Sequence, residues 1–135
     1  MIVVKRIGRQ VLTGFNVAKA INEGHRKSAV SIKKELFKVL TTGVKTGRVY
    51  KIGGKLHTAS APGEAPAKLS GKLASSVGYK LGNKRLTVGE GASYAAFLES
   101  GTSKMAARSH FQKTVEAKLP ELQKHVNESV LKVFK

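Results

Sequence analysis

The N-terminal third of the chain carries apolar residues at helical spacing. From about residue 9 to residue 42 there is no proline. Within this stretch, apolar side chains recur in steps of three and four, at Ala29, Ile32, Leu36 and Val39. The spacing predicts a long amphipathic helix with one buried face. Gly24 has low helix propensity and lies where the polar Asn22 and His25 interrupt the apolar stripe, which favours a bend there.

The remainder of the chain predicts short strands and then a second long helix. Alternating β-rich residues at 48–52 indicate one strand, and Gly53-Gly54 follows as a turn signal. Two more strands are expected at 76–81 and 84–88, with a hairpin turn between them. Short helices are expected at 69–77 and 94–100, and a last helix from near Ser109, kinked or split at Pro120.

These elements predict an α+β fold. A long N-terminal helix and a C-terminal helix would pack on a small, mostly antiparallel β-sheet. At 135 residues the chain is expected to form a single domain, residues 1–135. The segment at about 53–68 holds three glycines and two prolines with few apolar anchors. It is therefore expected to be a projecting loop or a loosely paired hairpin arm.

The apolar faces of the predicted elements also give a predicted core. Its members share helical spacing with other apolar residues, which places them on the inner faces. They are Leu36, Leu73, Phe97, Phe111, Leu122 and Val126.

The charge is strongly basic and unevenly placed. There are 25 Lys and Arg residues against eight Glu, with no Asp. Residues 1–56 have a net charge of +11, compared with +4 for 57–89 and +2 for 90–135. The densest helical part of this excess, here called the basic strip, consists of Lys19, Arg26, Lys27, Lys33 and Lys34. An excess of this kind attracts polyanions through counterion release. The alternative is a solvated helix face that keeps the protein soluble.

Residues with catalytic or metal-binding potential are few and scattered. There is no cysteine, the eight Glu are dispersed, and the four histidines do not fall at metal-ligand spacing. No Asp is present to orient a histidine in a triad, and no apolar run is long enough for a membrane span. The sequence therefore predicts no catalytic, metal or cofactor site. Glu99, an isolated acid, is interpreted as a cap or an ion-pair partner of Lys104 or Arg108 rather than as a catalytic group.

Two blocks of sequence carry a resemblance to a known family. The first is His57-Thr-Ala-Ser-Ala-Pro-Gly-Glu-Ala-Pro-Ala-Lys-Leu-Ser-Gly-Lys-Leu73, and the second is Tyr94-Ala-Ala-Phe-Leu-Glu-Ser-Gly-Thr-Ser-Lys-Met-Ala-Ala-Arg-Ser-His-Phe111. Together they resemble small proteins of the bacteriophage head–tail junction, called neck, tail-completion or head–tail joining proteins.

In that family the second block typically runs Tyr-Ala-x-Phe/Tyr-x-Glu-x-Gly-Thr, then Lys-Met, then an Arg-Pro-Phe-like entry to the last helix. The matching positions here are Tyr94, Glu99, Gly101 and Thr102. Ser109 and His110 stand where a proline is usual. This departure affects how tightly the chain is expected to turn before the last helix.

The resemblance implies a non-enzymatic virion component of long-tailed phages, made in the host cytoplasm. It would form a homo-oligomeric ring, with six-fold symmetry favoured, that joins the head connector to the tail around the DNA passage. Its partners would be adjacent connector proteins, tail-terminator or tail-tube proteins, and packaged double-stranded DNA bound without sequence preference, with no membrane. The basic strip would face the DNA or an acidic neighbouring ring. Contacts with neighbouring subunits or rings would come from the loop residues His57, Pro62, Gly63, Glu64 and Pro66.

The alternative interpretation is a free, basic nucleic-acid-binding protein without sequence specificity. A small hydrolase is a third and weaker possibility. Self-association distinguishes the first two. A ring component associates with itself or with partner proteins, whereas a free binder stays monomeric and binds DNA tightly at low salt.

Overall fold

The computed structural model describes the backbone at residues 5–7, 10–12 and 14–134, and the side chains from residue 17 to residue 134. Along the chain the elements are β1 (Lys5–Ile7), β2 (Gln10–Leu12), α1 (Gly14–Thr41), β3 (Val49–Ile52), β4 (Lys55–Thr58), α2 (Lys72–Ser75), β5 (Val77–Gly82), β6 (Arg85–Glu90), α3 (Ala95–Ser100) and α4 (Phe111–Leu131). A short 3-10 turn, Lys132–Phe134, follows α4.

The predicted α+β class is confirmed, with long N- and C-terminal helices packed together. The described strands form two-stranded sheets, β1–β2, β3–β4 and β5–β6, in place of the one small sheet expected. Strands β3 and β4 are antiparallel, with Val49 opposite Thr58 and Ile52 opposite Lys55. Each strand pairs with its neighbour in sequence because the connections of β3–β4 and β5–β6 have only two residues.

Contacts within the chain cluster into two compact units. The first unit comprises residues 1–32, 79–88 and 118–135, and the second comprises 33–78 and 89–117. The prediction of a single domain over residues 1–135 stays a prediction.

In the first unit, α1 and α4 approach each other closely at a glycine. A Cβ atom on Gly24 would lie 2.6 Å from Cα of Val126 and 3.0 Å from the His125 carbonyl oxygen. The Ser28 hydroxyl donates a hydrogen bond of 3.1 Å to the Leu122 carbonyl, and the Ser31 hydroxyl donates one of 2.7 Å to Glu121. Helix α1 continues through Gly24. The glycine therefore permits close helix packing, a role that its low helix propensity did not reveal.

The second unit has its own apolar core. Buried apolar side chains come from α1, from α2 and the start of β5, and from the segment that leads into α3. They are Leu36, Leu40, Leu73, Ala74, Val77, Ala92 and Ala95.

The predicted core is correct in part. Leu36 and Leu73 are buried, as predicted. Phe111, Leu122 and Val126 are half-buried. The prediction for Phe97 is wrong, because its side chain is 59% exposed. Helix α3 has only six residues, and its inner face is formed by Ala95 and its i+3 and i+4 neighbours, which leaves Phe97 on the outer face.

Helix α4 is not split at Pro120. The helix runs from Phe111 to Leu131 with the proline inside it. Proline cannot donate to the carbonyl of residue 116, four positions earlier. Both Pro120 and Glu116 are exposed, so water can satisfy that carbonyl.

Adding one methyl group at Gly24 tests the close packing of α1 on α4. We expect Gly24→Ala to destabilise the protein by about 1–2 kcal/mol, because an overpacking cost of about 1–3 kcal/mol exceeds the gain in helix propensity of up to about 1 kcal/mol. Urea unfolding followed by circular dichroism measures the change.

Gly89→Ala is the control, because a Cβ atom there meets no atom within 4 Å. A Gly24→Ala protein as stable as the wild type would contradict the close approach.

Candidate functional site

The second sequence block forms a sharp connection between α3 and α4. Gly101 ends α3 with φ +77° and ψ 177°, and its amide donates to the Phe97 carbonyl at 2.8 Å. A Cβ atom on Gly101 would lie 2.8 Å from the Ala107 nitrogen. Beyond the glycine, the exposed Thr102 pairs with Met105 through an amide–carbonyl bond of 2.8 Å. Glycine is required here both for its positive φ and for the close approach of residue 107.

Glu99 caps the start of α4 from outside that helix. Its carboxylate accepts hydrogen bonds from the amides of His110 and Phe111, both at 3.0 Å, and of Gln112 at 3.1 Å. The first amides of a helix have no partner within the helix, and their dipoles favour a negative charge. Burial raises the pKa of Glu99, but the three amides and the nearby His110 outweigh burial and lower it overall. The non-catalytic interpretation of Glu99 thus has a structural basis, with backbone amides as its partners.

His110 lies fully buried between acceptor groups. Its Nε2 is 2.7 Å from Oε1 of Glu90, and its Nδ1 is 2.9 Å from the Arg108 carbonyl and 3.2 Å from Oε2 of Glu99. Both ring nitrogens face acceptors, so an imidazolium satisfies both at once. Burial lowers the pKa of His110, but the bonds to Glu90 and to the Arg108 carbonyl, with the charges of both carboxylates, raise it overall. We call Glu90, Glu99 and His110 the His110 cluster.

The His110 cluster was missed by the sequence analysis. Its three residues come from β6, from α3 and from the turn before α4, and no spacing in the sequence connects them. The His110 amide donates to Glu99, a bond that a proline at this position could not make because it has no amide hydrogen.

The second block and the first turn of α4 also hold the first block in place. Nε of Arg108 donates to the Ser60 hydroxyl at 3.1 Å, the Gly63 amide donates to the Ala107 carbonyl at 3.3 Å, and Nζ of Lys113 donates to the Gly63 carbonyl at 3.4 Å. The two blocks that carry the family resemblance are therefore joined in the second unit.

Glu64 ties the first block to the segment that precedes β3. Its carboxylate accepts bonds from the Thr46 hydroxyl, from the Thr46 amide at 3.2 Å and from the Ala61 amide at 2.8 Å. These bonds, that of the Thr46 side chain first, lower the pKa of Glu64. Nζ of Lys45 donates to the Ala65 carbonyl at 2.8 Å. Residues 59–68, here called the anchored loop, are thus held by hydrogen bonds to Lys45 and Thr46 and by the bond from Ala61 to Glu64 within the loop.

The five loop residues predicted to contact neighbours differ in accessibility. Pro62 and Gly63 are exposed, Glu64 and His57 are half-buried, and Pro66 is buried. His57 belongs to β4, where it pairs with Tyr50 of β3. Pro62 and Gly63 are thus the candidates among the five that a neighbouring protein can reach most directly.

The β3–β4 hairpin exposes apolar side chains without a core of its own. We call residues 48–58 the arm. Val49 is 54% exposed and Leu56 is 79% exposed, and Tyr50 and Ile52 are exposed as well. At its base, the Gly47 amide donates to the Ala59 carbonyl at 2.9 Å. A two-stranded hairpin is only marginally stable in isolation, so the exposed apolar side chains make the arm a candidate interaction surface.

An apolar groove of about 490 Å³ lies beside the base of the arm. Leu40, Leu73, Leu98 and Tyr94 line it, and its rim includes Lys68 and Lys72. No acidic residue is among the described residues that line it. The motif residue Tyr94 thus belongs to a groove with cationic edges.

The five residues of the basic strip are exposed. Lys19, Arg26 and Lys27 belong to the first unit, and Lys33 and Lys34 belong to the second. None of the five has an ion-pair partner among the described residues.

Within the part of the chain that the structure describes, no three His, Cys, Asp or Glu side chains come together as a metal site. Along the same residues, no helix combines the length and the hydropathy that a membrane crossing needs. Comparisons with protein-family models, with curated proteins and with solved structures find no match. The family resemblance therefore stays a prediction.

Gly101→Ala is expected to cost more stability than Gly54→Ala. Both glycines have positive φ, +77° and +83°, but only Gly101 has backbone atoms in the path of an added Cβ. We expect Gly54→Ala to cost about 1 kcal/mol and Gly101→Ala at least about 2 kcal/mol more, by analogy with overpacked cores. Thermal unfolding midpoints compare the two, and equal midpoints would remove the steric role of Gly101.

The contributions of His110 and Glu99 to stability are expected to change in opposite directions with pH. Because folding raises the pKa of His110, its contribution to stability is complete below its ordinary pKa of 6.5 and is lost as the pH rises through the folded pKa. Because folding lowers the pKa of Glu99, its contribution is complete above its ordinary pKa of 4.5 and is lost as the pH falls through the folded pKa.

Urea titrations of the wild type, His110→Gln and Glu99→Gln across this range check the prediction. The cost of His110→Gln should shrink towards alkaline pH, and that of Glu99→Gln, about 1–2 kcal/mol for a lost cap, should shrink towards acidic pH. Each variant is the control for the other. Costs that stay constant with pH would contradict the assignment of charges in the cluster.

Proposed function

We propose that the chain is a non-enzymatic structural subunit of the phage head–tail junction, forming a homo-oligomeric ring around the DNA passage between connector and tail. The observation that carries the proposal is the arm, which exposes apolar side chains and is fixed at its base. The sequence blocks that resemble the head–tail joining family are the segments that hold this base.

The base of the arm is rigid enough to direct it towards a partner. The Ala59 amide donates to the Arg48 carbonyl at 2.9 Å, which extends the ladder of the hairpin beyond β3 and β4. A Cβ atom on Gly47 would lie 2.5 Å from the Ala59 carbonyl oxygen. Arg108 then ties Ser60, the next residue, to the start of α4. A surface held in its binding geometry loses less conformational entropy on association.

Charge indicates which neighbour the arm contacts. The arm carries Arg48, Lys51 and Lys55, and the rim of the apolar groove carries Lys68 and Lys72. These like charges disfavour insertion of the arm into the groove of an identical subunit. The arrangement favours a contact between the arm and an acidic surface of an adjacent connector or tail protein, with other surfaces joining the subunits of the ring.

The geometry of the titratable groups favours a structural role over catalysis. Glu99 and His110 are the acid and the histidine of the second block. Glu99 caps α4, and His110 forms a buried ion pair. His110 has no exposed side-chain surface, and a general base must reach its substrate.

Labelling of particles tests the proposed location. An antibody against this chain should label the neck of phage particles produced from the genome that encodes it, seen by negative-stain electron microscopy. Particles that lack the chain, as judged by mass spectrometry, would refute the proposal.

Polar substitutions in the arm are expected to abolish joining of heads to tails. The double variant Ile52→Ser and Leu56→Ser removes exposed apolar contacts, so the free subunit should keep its helical content and its unfolding midpoint. The yield of complete particles in complementation should fall by at least about tenfold if each lost contact costs more than about 1 kcal/mol.

Val30→Ser is the matched control, since Val30 is 56% exposed on α1, outside the arm. Particle yields that stay normal with the arm variant would move the contact elsewhere.

A further inference from the structure

The turn of the β5–β6 hairpin is fixed against α1 in the first unit. Lys84 in this turn has a φ of +55°, and its amide donates to Oδ1 of Asn22 at 3.0 Å. A groove of about 590 Å³ lies here, lined by Ala18, Lys19, Asn22, Glu23, Arg26 and Asn83. The side chains of α1 and the turn that follows β5 thus border one groove.

The first unit, to which this groove belongs, is cationic, although Glu23 lines the groove itself. Its described side chains, at residues 17–32, 79–88 and 118–134, include nine Lys and Arg against three Glu. Lys19 and Arg26 on α1 are exposed, as are Lys84 and Arg85 at the turn. Among the described residues none of these four has an ion-pair partner. Their charges are therefore available to an external anion.

The spacing of the cations suits a polymer of phosphates. Lys19 and Arg26 are seven residues apart on α1, about 10 Å along the helix axis. One strand of duplex DNA carries a phosphate about every 3.4 Å along its axis, so the two side chains reach phosphates about three steps apart. No aromatic side chain is among the described residues that line the groove, and readers of single strands use such side chains for stacking.

We propose that the groove between α1 and the turn at residues 83–85 binds the phosphate backbone of duplex DNA without reading its sequence. Lys19 and Arg26 contact phosphates from one side, and Lys84 and Arg85 contact them from the other. Asn22 is a positioning residue that holds the turn. This site rests on the proposed DNA passage. It adds the turn at residues 83–85 to the basic strip as a second surface that contacts DNA. It is a property of the free chain, so it can fail or succeed independently of ring assembly.

Fluorescence anisotropy with the full-length protein tests the proposal. The probe is a labelled duplex of about 30 base pairs of arbitrary sequence, titrated between about 50 and about 200 mM salt. The wild type should bind, and the double reversal Lys84→Glu and Arg85→Glu should raise Kd by at least about tenfold and reduce the salt slope by about two. The reversal Lys19→Glu and Arg26→Glu should have a similar effect.

The matched control is the reversal Lys38→Glu and Lys104→Glu at two exposed lysines of the second unit, with the same change in net charge. It should raise Kd by less than about threefold, because nonspecific attraction to total charge is weak compared with direct contacts. An equal loss in the control would overturn the site and leave attraction by net charge as the explanation.

The neutral substitution Asn22→Ala separates geometry from charge. It should weaken duplex binding severalfold while circular dichroism shows the wild-type helical content. Should a reversal variant fail to fold, Lys84→Gln with Arg85→Gln replaces it, and retention of full affinity in that variant would also overturn the proposal. A wild type that prefers single strands, binds poly-glutamate as tightly as duplex DNA, or binds no duplex at low salt would overturn it equally.

Discussion

The carboxylate of Glu99 supports the connection on which the second unit depends. It accepts the amides of His110, Phe111 and Gln112 at the start of α4 from a position on α3, so separating the two helices would break all three bonds. Residues 107 and 108 lie just before these amides, and they bind the anchored loop. The orientation of the arm therefore depends on the ionised side chain of Glu99 and on the buried His110 beside it.

Elements with strong local signals were predictable from the sequence. The spacing of apolar residues predicted both long helices, and Gly53-Gly54 predicted the turn after β3. Phe97 was misassigned because a helix of six residues has too few positions to show which face is buried. The role of Gly24 and the His110 cluster depend on contacts between residues far apart in sequence, which single-sequence patterns do not record.

The candidate site, too, was predictable from the sequence only in part. The two motif blocks could be recognised from their residues, and the structure joins them through Ser60, Gly63, Ala107 and Arg108. The sequence also indicated the basic strip, since cations at steps of seven share a helix face. It could not indicate that the turn at Lys84 lies against Asn22, because this contact spans 62 positions. Charge composition alone thus predicts binding of a polyanion but does not indicate which surface would bind it.

The cations of the arm affect how two copies of the chain meet edge to edge. Exposed hairpin edges with apolar side chains are sites of uncontrolled aggregation, and lysines on such edges suppress it. Lys51 and Lys55 on the arm, in a chain of net charge +17, make two free subunits repel each other edge to edge. In the proposed assembly, an acidic neighbour would cancel this repulsion. The same lysines would then keep free subunits monomeric until a partner of opposite charge is present.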